Sequence, residues 1–251
     1  MTVDVERIGA VTVVTINRPE RRNALDPETM SGIGRALVAA EQDDAVRAVV
    51  LTGAGDKAFC AGMDLRAFAE GGISPDDLPK PGLDVLVERI YPKPVVAAVN
   101  GAALAGGFEI MLACDLVVAA DHAMFGIPEV KRGLVAAGGG TRLPRRLPLA
   151  IALELGLTGD PVDAARARQL GLVNRVVPAA ELRQAAIALA ETVAANGPLA
   201  VAATKQLMWT EAAGMSIDEI GARTKPVFES EDAREGALAF AQRRPPVWRN
   251  R

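Results

Sequence analysis

The run KPVVAAVNGAALAGGFEIMLACDLVVAA, residues 93–120, decides the class of fold. Its first part, KPVVAAVNG, predicts a buried strand, Gly106–Ala113 a helix, and Leu116–Ala120 another strand. Strand, loop, helix and strand in direct succession point to an α/β domain. The helix has an unusual start, with Gly106 and Gly107 adjacent and Glu109 three residues after the first of them. The N–H groups of a first helical turn lack intrahelical partners and carry partial positive charge. Glycine there leaves room for an incoming oxygen, so the helix mouth can act as an oxyanion site. Glu109, one turn on, shares its face. Tight packing through the two glycines, with Glu109 favoured by the helix dipole, accounts for the same residues. A partner for this feature has to be sought elsewhere in the chain.

Outward from this run the alternation of strands and helices continues. Val3–Ile8 and Val11–Ile16 read as a hairpin around Gly9, followed by a charged loop over residues 18–22. Asp26 in the N-cap position and Pro27 at the first helical position open an amphipathic helix to Asp43, with Met30, Ile33, Leu37 and Val38 on one face. Val46–Gly53 predicts a strand, the glycine-rich GAGDKAFCAGMDL (53–65) follows, and a second helix is expected from about Leu83 to Ile90. A short extended piece at Met124–Ile127 and a glycine turn at Gly138–Gly140 complete this half. From Pro148 onward helices dominate, interrupted by GLVNRVVP (171–178), whose valines suggest one last strand. PVDAARARQLG (161–171) reads as a helix with its cap at Asp163 or nearby and Gly171 as its stop. Ala180–Ala195, Pro198–Ala213 and Ser216–Phe240 read as three further helices before the basic QRRPPVWRN (242–250). The expected division is an α/β core over 1–195 and a helical region over 196–251.

Composition narrows the function. The 251 residues can bury one substantial core, and 50% hydrophobic with 24% charged residues suits a folded globular chain. A net charge of −3 and no basic run interleaved with aromatics argue against nucleic acid as a partner. No apolar run approaches the ~18 residues of a membrane span, and MTVDVERIGAV has neither a basic nor an apolar leader region. Cytoplasmic residence without a membrane partner is the expectation. Cys60 and Cys114 read as small buried apolar residues, and with the single histidine they offer no metal-ligand cluster. His122 reads as a strand-end residue, and with no G-x-S-x-G in the chain it does not suggest a Ser-His-Asp hydrolase. No GxGxxG follows the first strand and no Gly-Lys-Ser/Thr occurs, which lowers a nucleotide-phosphate reading.

The partner feature is FCAGMDL (59–65), where the amide of Met63 follows Gly62 and could point at the same oxygen as that of Gly106. A plain strand-to-helix turn capped by Asp64 would read alike. A second acid, Glu129, stands in FGIPEVKRGL (125–134) among apolar neighbours, and with Glu109 it could form a coupled pair of carboxyls.

INRPERRNAL (16–25), GAGDKAFCAGMDL, the run 93–120, MFGIPEVKRGL (124–134) and LTGDPVDAARARQLGLVNRVVP (157–178) together resemble, in order, the signature segments of the enoyl-CoA hydratase/isomerase, or crotonase, family. The resemblance extends from about Val11 to the C-terminus. It implies an α/β spiral of ββα units with a C-terminal helical region, assembled as a homotrimer or homohexamer. It also implies an acyl-CoA thioester as substrate, with coenzyme A part of that substrate and no separate cofactor or metal. By the same resemblance the amides of Met63 and Gly106 form the oxyanion hole. Glu109 activates the water and Glu129 delivers the proton at Cα. Arg22, Ala24, Ala61, Asp64, Leu65 and Arg66 border the CoA, Arg22 and Arg66 being preferred over Arg21 and Lys57 for its phosphates. Ala137 offers its amide near the catalytic water.

Two glutamates at these positions favour a hydratase, a lyase of fatty acid metabolism. An enoyl-CoA isomerase, a carnitinyl-type 3-hydroxyacyl-CoA dehydratase and a non-catalytic acyl-CoA binding protein remain as alternatives. The chain departs from the family pattern at Ala105, where glycine is common, at Met63, where alanine is frequent, and at Ala137, where hydratases often have glycine.

Overall fold

A computed structural model describes residues 1–64, 67, 78–210 and 215–251. The expected hairpin forms between β1 (Val3–Ile8) and β2 (Val11–Ile16), with Gly9 at φ +56° in its turn. Asp26 and Pro27 begin α1 (Pro27–Gln42), and the Asp26 carboxylate accepts from the amide of Thr29 at 2.8 Å. That cap satisfies a first-turn N–H that no intrahelical carbonyl can reach.

Three strand pairs then share one pattern: β3 (Ala48–Gly53) with β4 (Ala58–Cys60), β5 (Val95–Val99) with β6 (Ala102–Leu104), and β7 (Leu116–Ala120) with β8 (Met124–Gly126). The first member of each pair joins a six-stranded sheet ordered β1-β2-β3-β5-β7-β10, where β10 is Arg175–Val177. The second joins a four-stranded sheet ordered β4-β6-β8-β9, where β9 is Val162–Asp163. All pairings after the first hairpin are parallel except β8 with β9. The chain therefore climbs a spiral, one turn per strand pair. A short α2 (Asp84–Val87) precedes the second turn, and α3 (Gly106–Ala113) follows β6 where the sequence placed it.

Period-two alternation divides each central strand between two cores. Val49, Leu51, Val95, Ala97, Val99, Val117 and Ala119 face the larger core, which takes in α1 and α3. Val50, Val96, Ala98, Val118 and Ala120 face the other way and are covered by Leu182, Ala186, Ala190 and Ala194 of α6 (Leu182–Ala194). With α4 (Leu149–Thr158) and α5 (Ala164–Gln169) before it, α6 follows β10; both faces of a parallel sheet need such cover.

The last expected helix, Ser216–Phe240, is two. After α7 (Pro198–Trp209), α8 (Ile217–Glu229) ends at Ser230, and α9 (Glu231–Gln242) starts there. Ser230 adopts φ −67° and ψ 159°, and its hydroxyl accepts from the amide of Ala233 at 3.0 Å. The serine acts as an N-cap, and an N-cap has non-helical backbone angles, which breaks the helix in spite of its continuous periodicity. The tail folds back: Trp248 Nε1 donates to the Ala195 carbonyl, and the Asp232 carboxylate accepts from the amides of Arg249 and Asn250. No single helix among the described residues is long and apolar enough to cross a membrane.

Candidate active site

The site begins with a buried amide side chain. Asn23 is fully buried at φ +55°, accepts from the amide of Arg18 at 2.9 Å, and donates to the carbonyls of Ala54 and Ala58 at 3.0 and 2.7 Å. It joins the charged loop after β2 to the glycine-rich segment around β4. Backbone bonds extend the join, from the Ala61 amide to Arg22, from the Leu25 amide to Gly62, and from the Asp64 amide to Leu25. The last two make a parallel bridge between Leu25 and Met63. In such a bridge the polar groups of the bracketed residue point to the opposite side. The N–H of Met63 is accordingly turned away from Leu25.

On that opposite side lies the start of α3. A Cβ placed on Gly62, itself at φ +88°, would come within 2.9 Å of the Gly106 nitrogen, and one placed on Gly106 would stand 3.7 Å from the Met63 nitrogen. Among the described residues neither amide donates to another group. Two unspent donors on touching stretches of backbone can both hold one oxygen. Gly107 has the packing role: a Cβ there would sit 2.0 Å from the Cys60 carbonyl oxygen. The packing reading of the double glycine thus applies to Gly107, whereas Gly106 leaves its amide open.

Glu109 projects from the same first turn and is 8% exposed. Its Oε1 accepts from the amide of Gly140 at 2.8 Å, and Gly138 lies so close that a Cβ there would be 2.7 Å from Oε2. Burial pushes the carboxyl up from its ordinary value, opposed by the amides of Gly140 and Gly138 and by the charge of Arg142. Glu129 follows Pro128 in a turn of 3₁₀ helix over Pro128–Arg132. Its Oε2 is enclosed without a hydrogen-bond partner among the described residues. Burial also raises this carboxyl, opposed by its own backbone amide and by the charge of Arg132, and the negative charge of Glu109 adds to the rise. The two acids therefore feel one another across one site.

Other expected residues fall as follows. Ala24 and Ala61 lie in the joined backbone segments, and the Ala24 carbonyl accepts from Arg18. Asp64 pairs with Arg18 at 3.3 Å. Arg22 and Lys57 line an open cavity of about 260 Å³ beside Pro19 and Gly55. Leu65 and Arg66 lie outside the described residues, as does most of the loop from Ala67 to Pro81. The amide of Ala137, expected near the catalytic water, donates to the carbonyl of Val135 at 2.8 Å, two residues back. Gly138 and Gly140 supply the amides that face Glu109, and the tripled glycine at 138–140 was the signal for them. Arg18 and Asn23 were also missed, since an arginine and an asparagine in a polar loop carry no pattern of their own. Cys60 and Cys114 are buried, their thiols pushed up to about 12 by burial. His122, beyond the end of β7, contacts the carbonyl of Asp56. Among the described residues no three His, Cys, Asp or Glu side chains gather as a metal site.

Known proteins resemble this chain in sequence and fold over nearly its whole length. The sequence profile of the family described as enoyl-CoA hydratase/isomerase matches residues 6–251. The carnitinyl-CoA dehydratase of Proteus mirabilis is 41% identical over 97% of this chain and 96% of its own length, and that of Escherichia coli K12 is 41% identical over 98% and 97%. The crystal structure of an enoyl-CoA hydratase from Mycobacterium tuberculosis superposes with a TM-score of 0.91 at 50% identity, covering 100% of this chain and 99% of that one. An enoyl-CoA hydratase from Mycobacterium marinum does so with the same TM-score and coverage at 48% identity.

Proposed function

Since the chain belongs to the enoyl-CoA hydratase/isomerase family, we propose that it is a hydro-lyase that adds water across the 2,3 double bond of a 2-enoyl-CoA and runs the reverse dehydration. The observation that carries this reading is the meeting, at the mouth of α3, of two unspent amides with two acids that share a site. The thioester oxygen lies between the amides of Met63 and Gly106. Water adds its oxygen to Cβ while Glu109 takes the water proton, and the π electrons pass through Cα to the thioester oxygen as an enolate. The enolate then takes a proton at Cα from Glu129, and the carbonyl re-forms. In the reverse direction each acid does the opposite.

The environments support this division. Glu109 is raised by burial but holds hydrogen bonds from backbone amides, which favour a charged base. Glu129 has an enclosed, unpartnered oxygen and a negative neighbour, which favour a protonated donor against the pull of its own backbone amide and of Arg132.

The CoA would lie along Arg22, Ala24, Ala61, Asp64, Leu65 and Arg66, leaving coenzyme A as part of the substrate and no further cofactor. We expect a cytoplasmic homotrimer or homohexamer. Carnitinyl-CoA as the specific substrate is the second reading, favoured by the identity with the dehydratases of that name. A panel of 2-enoyl-CoA and 3-hydroxyacyl-CoA thioesters, the carnitinyl and crotonyl pairs among them, separates the two. Glu109→Gln and Glu129→Gln should each lower kcat by about 10²-fold or more. Thioester binding without turnover of any member would overturn the assignment in favour of an acyl-CoA binding protein, and double-bond migration without hydration in favour of an isomerase.

A further inference from the structure

Arg18, two residues past β2, reaches three partners in three separate segments. Its Nη1 donates to the Ala24 carbonyl at 2.6 Å, and its Nη2 lies 3.1 Å from Asp26 Oδ2 and 3.3 Å from Asp64 Oδ2. The arginine is 14% exposed at its side chain and Asp64 12%. Asp26 is the cap of α1, and its other oxygen is taken by the amide and hydroxyl of Thr29. Asp64 directly follows Met63, and its amide makes one of the two backbone bonds that turn the Met63 N–H toward Gly106. One guanidinium thus joins a helix cap, a loop carbonyl and the residue next to the donor.

We propose that Arg18 is the positioning residue of the oxyanion site: by pairing Asp26 and Asp64 it fixes the direction of the Met63 amide. This inference rests on the reading of Met63 and Gly106 as the donors to the thioester oxygen. Without the cation, two carboxylates face one another in a largely enclosed place, and their repulsion separates segment 63–64 from segment 25–26. The Met63 amide then swings off the line to the oxygen. Misplacement by about 1 Å costs about 10²-fold in rate. Arg18 touches no reacting atom and acts through Asp64.

The test uses 4-(dimethylamino)cinnamoyl-CoA, whose absorption moves to longer wavelength as its thioester carbonyl is polarised. The parent protein should shift the band on binding. Arg18→Met, at saturating probe, should lose about half of the shift or more, with kcat for crotonyl-CoA about 10²-fold lower and KM changed by less than about threefold. Arg18→Lys should recover part of both, because a positive charge returns without the forked geometry. If Arg18→Met does not fold, Asp64→Asn takes its place, with a smaller loss of both band shift and kcat. A folded variant of either kind with the full band shift and the parent kcat overturns the role of Arg18 alone. A parent protein that binds the probe without any shift overturns the oxyanion reading, and this inference with it.

Discussion

At the residue scale the least expected feature is Ala105, which holds φ +51° and ψ −128° just before α3 while its amide donates to the Gly126 carbonyl. An L-residue pays about 1–3 kcal/mol for such a conformation, and glycine adopts it without strain. Against this, glycine adds about 0.4–1 kcal/mol of freedom to the unfolded chain. Ala105→Gly should therefore stabilise the protein by about 1 kcal/mol, raising Tm by about 2–4 °C in a calorimetric scan; an unchanged or lower Tm would refute the strain. The acids supply a second expectation. Burial and the Glu109 charge raise the Glu129 carboxyl above its ordinary 4.5, so above that value the folded chain binds more protons than the unfolded one. Stability is unaffected below this window and falls as pH rises through it. Glu129→Gln should melt above the parent near pH 7 and lose that advantage near pH 4, in the same variant whose kcat collapses. Both acids were legible in the sequence, Glu109 three residues after Gly106 and Glu129 after Pro128 among apolar neighbours. The amides that hold Glu109 were not, because which N–H of residues 137–140 turns inward depends on a tight turn at Val135 that no pattern announces.

At the element scale the two adjacent glycines of α3 have unlike surroundings, and substitution tests whether their roles differ. A methyl at Gly106 meets its nearest neighbours at 3.4 Å or more, ordinary contact, but stands beside the Met63 amide, where on the proposed reading the thioester oxygen enters. Gly106→Ala should fold with an unchanged Tm and lose about 10²-fold in kcat. A methyl at Gly107 would drive into the Cys60 carbonyl, which is backbone of β4 and cannot step aside. Gly107→Ala should cost about 1–3 kcal/mol of stability, read by urea denaturation. Equal behaviour of the two variants would show that the glycines share one role. The limits of α3, β1, β2 and β7 were readable from periodicity and caps alone. The break at Ser230 was not, since the amphipathic pattern runs on across it and only the backbone angles of one serine, bonded to Ala233, divide α8 from α9.

At the scale of the whole molecule, the sequence announced alternating strands and helices but not their division between two sheets. Local periodicity reports which face of a strand is buried, whereas the order β1-β2-β3-β5-β7-β10 arises from contacts distant in sequence. Only the resemblance carried the spiral. The same long-range view isolates a surface that the single chain leaves unexplained. Leu149, Leu153 and Leu157 recur every four residues along α4 and so share one face, at 61%, 46% and 71% exposure. An aligned leucine stripe open to water is costly unless another surface covers it. A second copy of this chain is the occupant that the expected trimer or hexamer supplies. Leu153→Glu places a charge in the middle of the stripe, where burial would strand it without a partner. Sedimentation velocity should then show the parent as a trimer or hexamer and the variant shifted to smaller species. A parent that sediments as a monomer, or a variant that assembles as the parent does, would remove α4 from the assembly interface.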